Sequence, residues 1–219
     1  MSYKTYADLG GQPGQGPVTP EDEDLRFHES WEPTALALVL AMGATGSWNI
    51  DMSRAARETL PDYRHLSYYR IWLAALEKLM LERGQVFEDE LAAGRLLHPP
   101  APVARVLQAD QVGAALAKGS PTRRPDAAPA RFQPGQRVRT RAQAVPHHTR
   151  LPGYVRGKCG TIEHLHGAHV FADAHAQGQG EQPEPLYTVV FDGAELWGDD
   201  AASGLRVSVD AWQSYLEAA

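Results

Sequence analysis

The chain has 219 residues, of which 43% are hydrophobic, and a formal charge of −6. That is enough apolar content to fill a core, and the acidic balance excludes a protein that holds nucleic acid by bulk positive charge. A single cysteine, Cys159, excludes an internal disulfide and a Cys-rich metal site. No apolar run approaches the ~20 residues of a membrane span. The N-terminus is polar and glycine-rich rather than a secretory signal, so a soluble cytoplasmic protein is expected.

Taken in order, residues 1–24 are rich in Gly and Pro and then acidic, and read as an extended arm. Residues 25–98 read as a helical domain. Its first helix is expected from Trp31 to Gly46, capped by Ser30, with Pro33 in the first turn. The interior of that helix, A-L-A-L-V-L-A-M, is apolar all round and predicts burial on every side. Asn49 or Asp51 caps a second helix, Met52 to Leu60, which Pro61 stops. Ser67 caps a third, with Tyr69, Trp72, Leu73, Leu76 and Met80 at helical spacing, ending near Arg83 and Gly84. A short fourth helix spans Glu88 to Ala93.

Residues 99–131 form a Pro/Ala-rich linker with one helical island at Gln108 to Lys118. From residue 132 to 219 the period changes from helical to alternating. Arg137–Arg139, Gly160–Glu163, Leu186–Phe191 and Leu205–Val209 read as short strands, with a long loop over 166–185. The fold class expected is α+β in two domains: helices first, then a small antiparallel β-barrel of about five strands.

Charge is uneven along this chain. Residues 121–160 carry nine Lys/Arg against one acid, Asp126. The densest part is H-T-R-L-P-G-Y-V-R-G-K-C-G-T, residues 148–161. Pro152-Gly153 marks a turn, and Gly157 and Gly160 mark sharp bends or close approach. Arg150, Arg156 and Lys158 are thereby held on ordered backbone, and a guanidinium fork suits carboxylate-like oxygens. The segment reads as a docking element for an anionic target.

Other constellations have plainer readings. Arg54 and Glu58, four apart on a helix, make a surface ion pair. His164, His166, His169 and His175 lack a recognisable ligand spacing for a metal. Cys159 beside Lys158 lacks a base to activate it and reads as the start of a strand. Tyr68, Tyr69 and Trp72 are core aromatics or the wall of an apolar pocket. A barrel-based nucleic-acid binder is a rival, with Tyr154 stacking on a base, but its aromatics are sparse.

With these residues in view, the chain resembles the beta subunits of nitrile hydratases. The resemblance rests on D-L-G-G-Q-P-G-Q-G-P-V at 8–18, F-H-E-S-W-E at 27–32, W-N-I-D-M-S-R at 48–54 and the Tyr68-Tyr69-x-x-Trp72 helix. It continues through R-F-Q-P-G-Q-R-V-R, the 148–161 segment, Y-T-V-V-F, E-L-W-G and W-Q-S-Y-L-E. The resemblance implies that the barrel is SH3-like. It further implies an alpha-subunit partner, in a heterodimer commonly paired into a heterotetramer, that hydrates nitriles to amides. The alpha partner would hold iron(III) or cobalt(III) through thiolates and backbone nitrogens, two of the thiolates being oxidised; this chain would ligate no metal. By position, Arg54 and Arg156 correspond to the beta arginines that contact the oxidised sulfur oxygens. Glu58 and His148 would orient that network, and Ile50, Tyr68 and Trp72 would line the nitrile pocket. Gln177 stands where family members often carry histidine, Ser53 where the apolar pocket residue is usually bulkier, and Ile71 where a polar residue can occur. Two alternatives share parts of the pattern: a beta-like metallochaperone or assembly factor for the alpha subunit, and a thiocyanate hydrolase-type subunit. Neither a membrane nor a nucleic-acid partner is expected.

Overall fold

The computed structural model describes residues 4–125 and 128–219. Met1–Tyr3 of the arm, and Asp126 and Ala127 of the Pro-rich segment, lie outside the described residues. The chain divides into two compact units, Lys4–Gly119 and Ser120–Ala219.

The helical unit holds α1 (Glu32–Ala44), α2 (Ile50–Glu58), α3 (Tyr68–Glu82), α4 (Glu88–Ala93) and α5 (Val112–Lys118). The arm has neither helix nor strand over residues 4–24, and the Tyr6 amide donates to the Glu58 carbonyl at the end of α2 at 2.7 Å. Asn49 caps α2, its Oδ1 accepting from the Met52 amide at 2.9 Å. Ser67 precedes α3 in extended geometry, but its hydroxyl makes no cap bond. Val39, Trp48, Ala56, Leu60, Ala75, Leu76 and Leu79 form one core under α1, α2 and α3.

Two expectations for α1 fail. Ser30 does not cap it; Trp31 stands at the cap position, and the buried Glu32 carboxylate instead reaches back to the His28 amide at 2.6 Å. Nor is the helix buried all round. Ala35 and Val39 are buried, whereas Leu38 and Leu40 are 48% and 38% exposed. A helix packed along one face leaves its opposite side out of the core whatever its composition, so composition alone overstated burial.

The α4 region depends on one carboxylate. Glu90 accepts from the amides of Phe87 at 3.0 Å, Leu97 at 2.9 Å and His98 at 3.0 Å. These bonds, those from Leu97 and His98 foremost, hold its pKa below the ordinary glutamate value. A folded pKa below the unfolded one stabilises the fold above the unfolded value, and that contribution is lost as pH falls through the folded value. Glu90→Gln should therefore flatten the acid limb of stability against pH below about 4.5, followed by urea unfolding at stepped pH. An unchanged acid limb would contradict the role given to Glu90.

The second unit is built on β1 (Arg137–Thr140), β2 (Cys159–His169), β3 (Glu184–Asp192), β4 (Arg206–Trp212) and β5 (Leu216–Ala218). Their order is β4-β3-β2-β1-β5, every neighbouring pair antiparallel. The ladders leave β4 and β5 as the outer strands, so the sheet is open in its pairing and the fold is α+β. Two short helices are inserted, α6 (Ala172–Ala176) and α7 (Gly193–Trp197). The loop expected over 166–185 is shorter than that. β2 runs on to His169 because register shifts at Ile162/His164 and Leu165/Gly167 let it bend and stay paired with β3. Arg124 and Arg131 of the Pro-rich segment also bond within this unit: Arg124 N donates to the Ala168 carbonyl at 2.9 Å, and Arg131 N to Gln213 Oε1 at 2.8 Å.

Val138, Val155, Ile162, Tyr187, Val189 and Phe191 centre the core of this unit. Gly160 lies against it with no room for a side chain. A Cβ there would come within 2.6 Å of Val189 Cγ1, 2.8 Å of the Val190 carbonyl oxygen and 2.9 Å of Phe191 Cε1. The carbonyl belongs to the paired strand and cannot swing away. Gly160→Ala should destabilise the chain by about 1–3 kcal/mol in chemical denaturation; wild-type stability would show that the sheet can yield there.

Candidate functional site

The helical unit presents its candidate residues on α2 and the start of α3. Arg54 is half-buried, and its Nη1 donates at 2.9 Å to Oδ1 of Asp51, a carboxylate that is itself buried. The sequence offered Glu58 as the partner of Arg54; the short contact is to Asp51, one turn back along the helix. Glu58 ends α2, where its carbonyl receives the Tyr6 amide. Ser53 is buried and Ile71 partly so.

Ile50 and Tyr68 are 45% and 63% exposed. Tyr68 packs edge-on to Tyr69, centroids 5.2 Å apart, and tilted on Trp72 at 5.4 Å. Arg57, which the sequence did not single out, lays its guanidinium 4.1 Å from the Trp72 ring centroid. Burial, ahead of the neighbouring Arg54 charge, lowers the Arg57 pKa. The cation–π contact fixes the plane of the indole. Helical spacing does not register such a pair, because its members sit on different helices.

The sheet unit presents the basic loop between β1 and β2. Pro152 leads into a turn of 3₁₀ helix, Gly153–Val155, and Gly157 turns the chain again with φ of +72°. The buried Thr140 hydroxyl donates to the Val155 carbonyl, tying the turn to β1. Tyr154 stacks on Trp197 of α7, centroids 6.1 Å apart, and so packs within the protein. Glu195, in the E-L-W-G stretch, accepts from the Cys159 amide at 2.8 Å and fixes the start of β2. Arg150 is exposed; Arg156 is half-buried, and its Nη2 donates to the Leu151 carbonyl at 3.3 Å.

Arg156 lines a cavity of about 250 Å³ in this unit together with Arg141, His147, Thr149, Asp173, Gln177 and Tyr215. His148 is buried beside it, its carbonyl 2.9 Å from His147 Nδ1. Three members of this group escaped the sequence reading, His147 just ahead of the basic segment and two from farther along the chain. Asp173 sits in α6, within what reads as a loop, and Tyr215 in the W-Q-S-Y-L-E stretch near the C-terminus. The Tyr215 hydroxyl donates to Asp173 Oδ1 and accepts from Thr149 Oγ1 at 3.1 Å and from the Arg150 amide at 3.0 Å. Burial raises both pKa values, and for Tyr215 the Asp173 charge adds to it. The phenol thus keeps its proton at neutral pH and remains a donor to Asp173.

The histidines of β2 form a separate group on its outer side. His164 and His166 have centroids 4.7 Å apart, and His166 Nε2 lies 2.7 Å from Thr188 Oγ1. Among the described residues no three His, Cys, Asp or Glu side chains are grouped as a metal ion would require. Likewise, no helix of the described residues is long and apolar enough to cross a membrane.

A chain with these features, guanidinium groups braced on ordered backbone in two units, is matched in both by models of one family. "Nitrile hydratase beta subunit, N-terminal" matches residues 3–112, and "Nitrile hydratase beta subunit, C-terminal" matches residues 121–218. The low-molecular weight cobalt-containing nitrile hydratase subunit beta of Rhodococcus rhodochrous is 38% identical over 95% of this chain and 96% of its own length. The cobalt-containing nitrile hydratase subunit beta of Pseudonocardia thermophila is 32% identical over 96% and 94%. A solved recombinant apo-enzyme of thiocyanate hydrolase from Thiobacillus thioparus is 30% identical over 42% of this chain and 79% of that one, with a TM-score of 0.40. The chain belongs to the nitrile hydratase beta-subunit family, a family of enzyme subunits that hydrate nitriles and are named for their pairing with an alpha subunit.

Proposed function

We propose that this chain completes the active site of a nitrile hydratase whose metal is held by the alpha subunit, with Arg54 and Arg156 donating to the oxygens of oxidised cysteine sulfurs of that partner. The observation that carries this reading is the state of the two arginines. Each is half-buried and braced, Arg54 on the buried Asp51 and Arg156 on the Leu151 carbonyl. Cations held in this way are donors to an anion, and are not metal ligands. The donor set of the chain therefore suits the surroundings of a thiolate-ligated metal. Relatives named as cobalt-containing favour cobalt(III) over iron(III). When bound in the partner, such an ion supplies Lewis acidity toward a nitrile.

The residues of this chain do the rest. Sulfur oxygens bearing negative charge in a dry site need fixed donors, and two guanidinium forks supply them at no reorganisation cost during reaction. Glu58 and His148 orient the groups around those forks. Ile50, Tyr68 and Trp72 form an apolar wall for the nitrile, Trp72 held flat by Arg57. Leu38, Leu40, Ile50 and Tyr68 are exposed apolar groups, and we assign them to the surface that the alpha subunit covers. The wider reading is a cytoplasmic alpha/beta heterodimer that pairs into a heterotetramer, with the open sheet of this chain curled as in SH3-like barrels.

The test is a pair of Arg→Lys variants in the co-expressed alpha/beta complex, since Lys keeps the charge and loses the fork. Arg54→Lys and Arg156→Lys should each lower kcat for nitrile hydration about tenfold or more, corresponding to at least about 1.4 kcal/mol of lost transition-state stabilisation. A fully active Arg156→Lys complex would remove Arg156 from the role. Arg150→Lys is the parallel variant: loss there alone would move the donor six residues upstream, to the exposed arginine of the same loop.

A further inference from the structure

The arginines of the basic loop are only as well placed as the backbone beneath them, and one side chain outside the loop bonds two consecutive loop residues, the hydroxyl of Thr149 and the backbone amide of Arg150. We propose that Tyr215 is a positioning residue for the loop, its hydroxyl fixing Thr149 and Arg150 while Asp173 fixes the hydroxyl. The inference deepens, and rests on, the reading of this loop as the face turned toward oxidised sulfurs of the partner.

A phenol has one proton to give and two lone pairs to receive. The Tyr215 proton goes to Asp173 Oδ1, which turns both lone pairs toward the loop. One receives Thr149 Oγ1 at 3.1 Å and the other the Arg150 amide at 3.0 Å. Because the second bond uses the backbone of Arg150, it sets the origin of that side chain without drawing on the guanidinium. The constraint passes onward. The Leu151 amide donates to Thr149 Oγ1 at 3.4 Å, and the Leu151 carbonyl receives Arg156 Nη2 at 3.3 Å. The Tyr215 hydroxyl is thus linked directly to the backbone of Arg150, and through Thr149 and Leu151 to the Arg156 guanidinium.

Its own position is fixed from two sides. The Tyr215 ring packs against Phe171 and Trp212, with centroids 5.8 Å and 5.9 Å away. Tyr215 and Asp173 are both buried, at 5% and 3% exposure, on the lining of the cavity that Arg156 also faces. The titratable groups near Asp173 are Tyr215, His147, with Nδ1 at 3.7 Å from Oδ2, and His148.

Tyr215→Phe keeps the ring and removes the hydroxyl. In the co-expressed alpha/beta complex it should lower kcat about tenfold or more while KM stays within about twofold, because the loss falls on transition-state placement. Amide hydrogen exchange, read by mass spectrometry on the same complex, should rise over residues 149–151 and stay at wild-type level in β2 and β3. Thr149→Val removes one of the two bonds that the Tyr215 hydroxyl accepts, together with the Thr149 bonds to Asp173 and the Leu151 amide, while the Tyr215 hydroxyl keeps its own bond to Asp173. It should show the same pattern to a smaller degree, and it decides the matter where Tyr215→Phe does not assemble. Wild-type exchange at 149–151 with kcat within twofold of wild type overturns the proposal. Exchange rising across the whole sheet also overturns it, since Tyr215 would then be a core residue only. If the wild-type complex makes no amide from a nitrile, the functional reading fails instead, and the exchange measurement still reports on the role of Tyr215.

Discussion

Presenting a cation to a buried anion is costly unless the cation is already in place. An arginine on a loose loop would have to surrender backbone and rotamer freedom on meeting its target, at about 1–2 kcal/mol for each backbone residue fixed. The basic loop avoids this through the hydroxyl of Tyr215, which holds Thr149 and Arg150 from beneath and is itself held by Asp173. Asp173 stands on α6, Tyr215 follows β4, and the loop joins β1 to β2. Residues from three separate parts of the sheet unit therefore meet at one stretch of the loop. Gly160, with no space for a Cβ, lets β2 start close under β3 directly after the loop.

The helical unit meets the same demand by a shorter route. Arg54 and its brace, Asp51, lie three apart on one helix, so the geometry is local and α2 supplies it as soon as Asn49 caps the first turn. Trp72 is held by a cation over its face, and Tyr68 leans on it from the same helix. In both units a half-buried guanidinium is held by a neighbour within its own unit, Arg54 by the Asp51 carboxylate and Arg156 by the Leu151 carbonyl. The exposed Leu38 and Leu40 on α1 fit a chain that leaves part of its apolar surface for a second protein.

How much of this was readable from the sequence depended on the range of the interaction. The end of α3 before Gly84 and the full span of α4 followed from caps and stops, which act within a few residues. Gly157 and Gly160 were read together as sharp bends or close approach, and the structure divides the roles, the turn to Gly157 and the close approach to Gly160. What failed was of longer range. The shifts that carry β2 to His169 break the period-two pattern, so the stretch read as a loop. β5 has three residues, too few for alternation to register. The exposure of α1 depends on where its neighbours end, which its own composition does not encode. Tyr215 and Asp173 are 42 positions apart and meet only through the sheet, so neither stood out. The resemblance supplied Arg54 and Arg156 as candidates, while the structure supplied the residues that hold them.

The claim that this chain completes another chain's metal site is tested most directly by locating the metal and the activity together. The chain would be purified alone and after co-expression with its alpha subunit, and each preparation assayed for bound cobalt and iron and for amide formation from acrylonitrile. Metal and amide are expected in the co-purified complex and neither in the isolated chain. Stoichiometric metal on the isolated chain, retained after dialysis against a chelator, would contradict it and move the site to the histidines of β2.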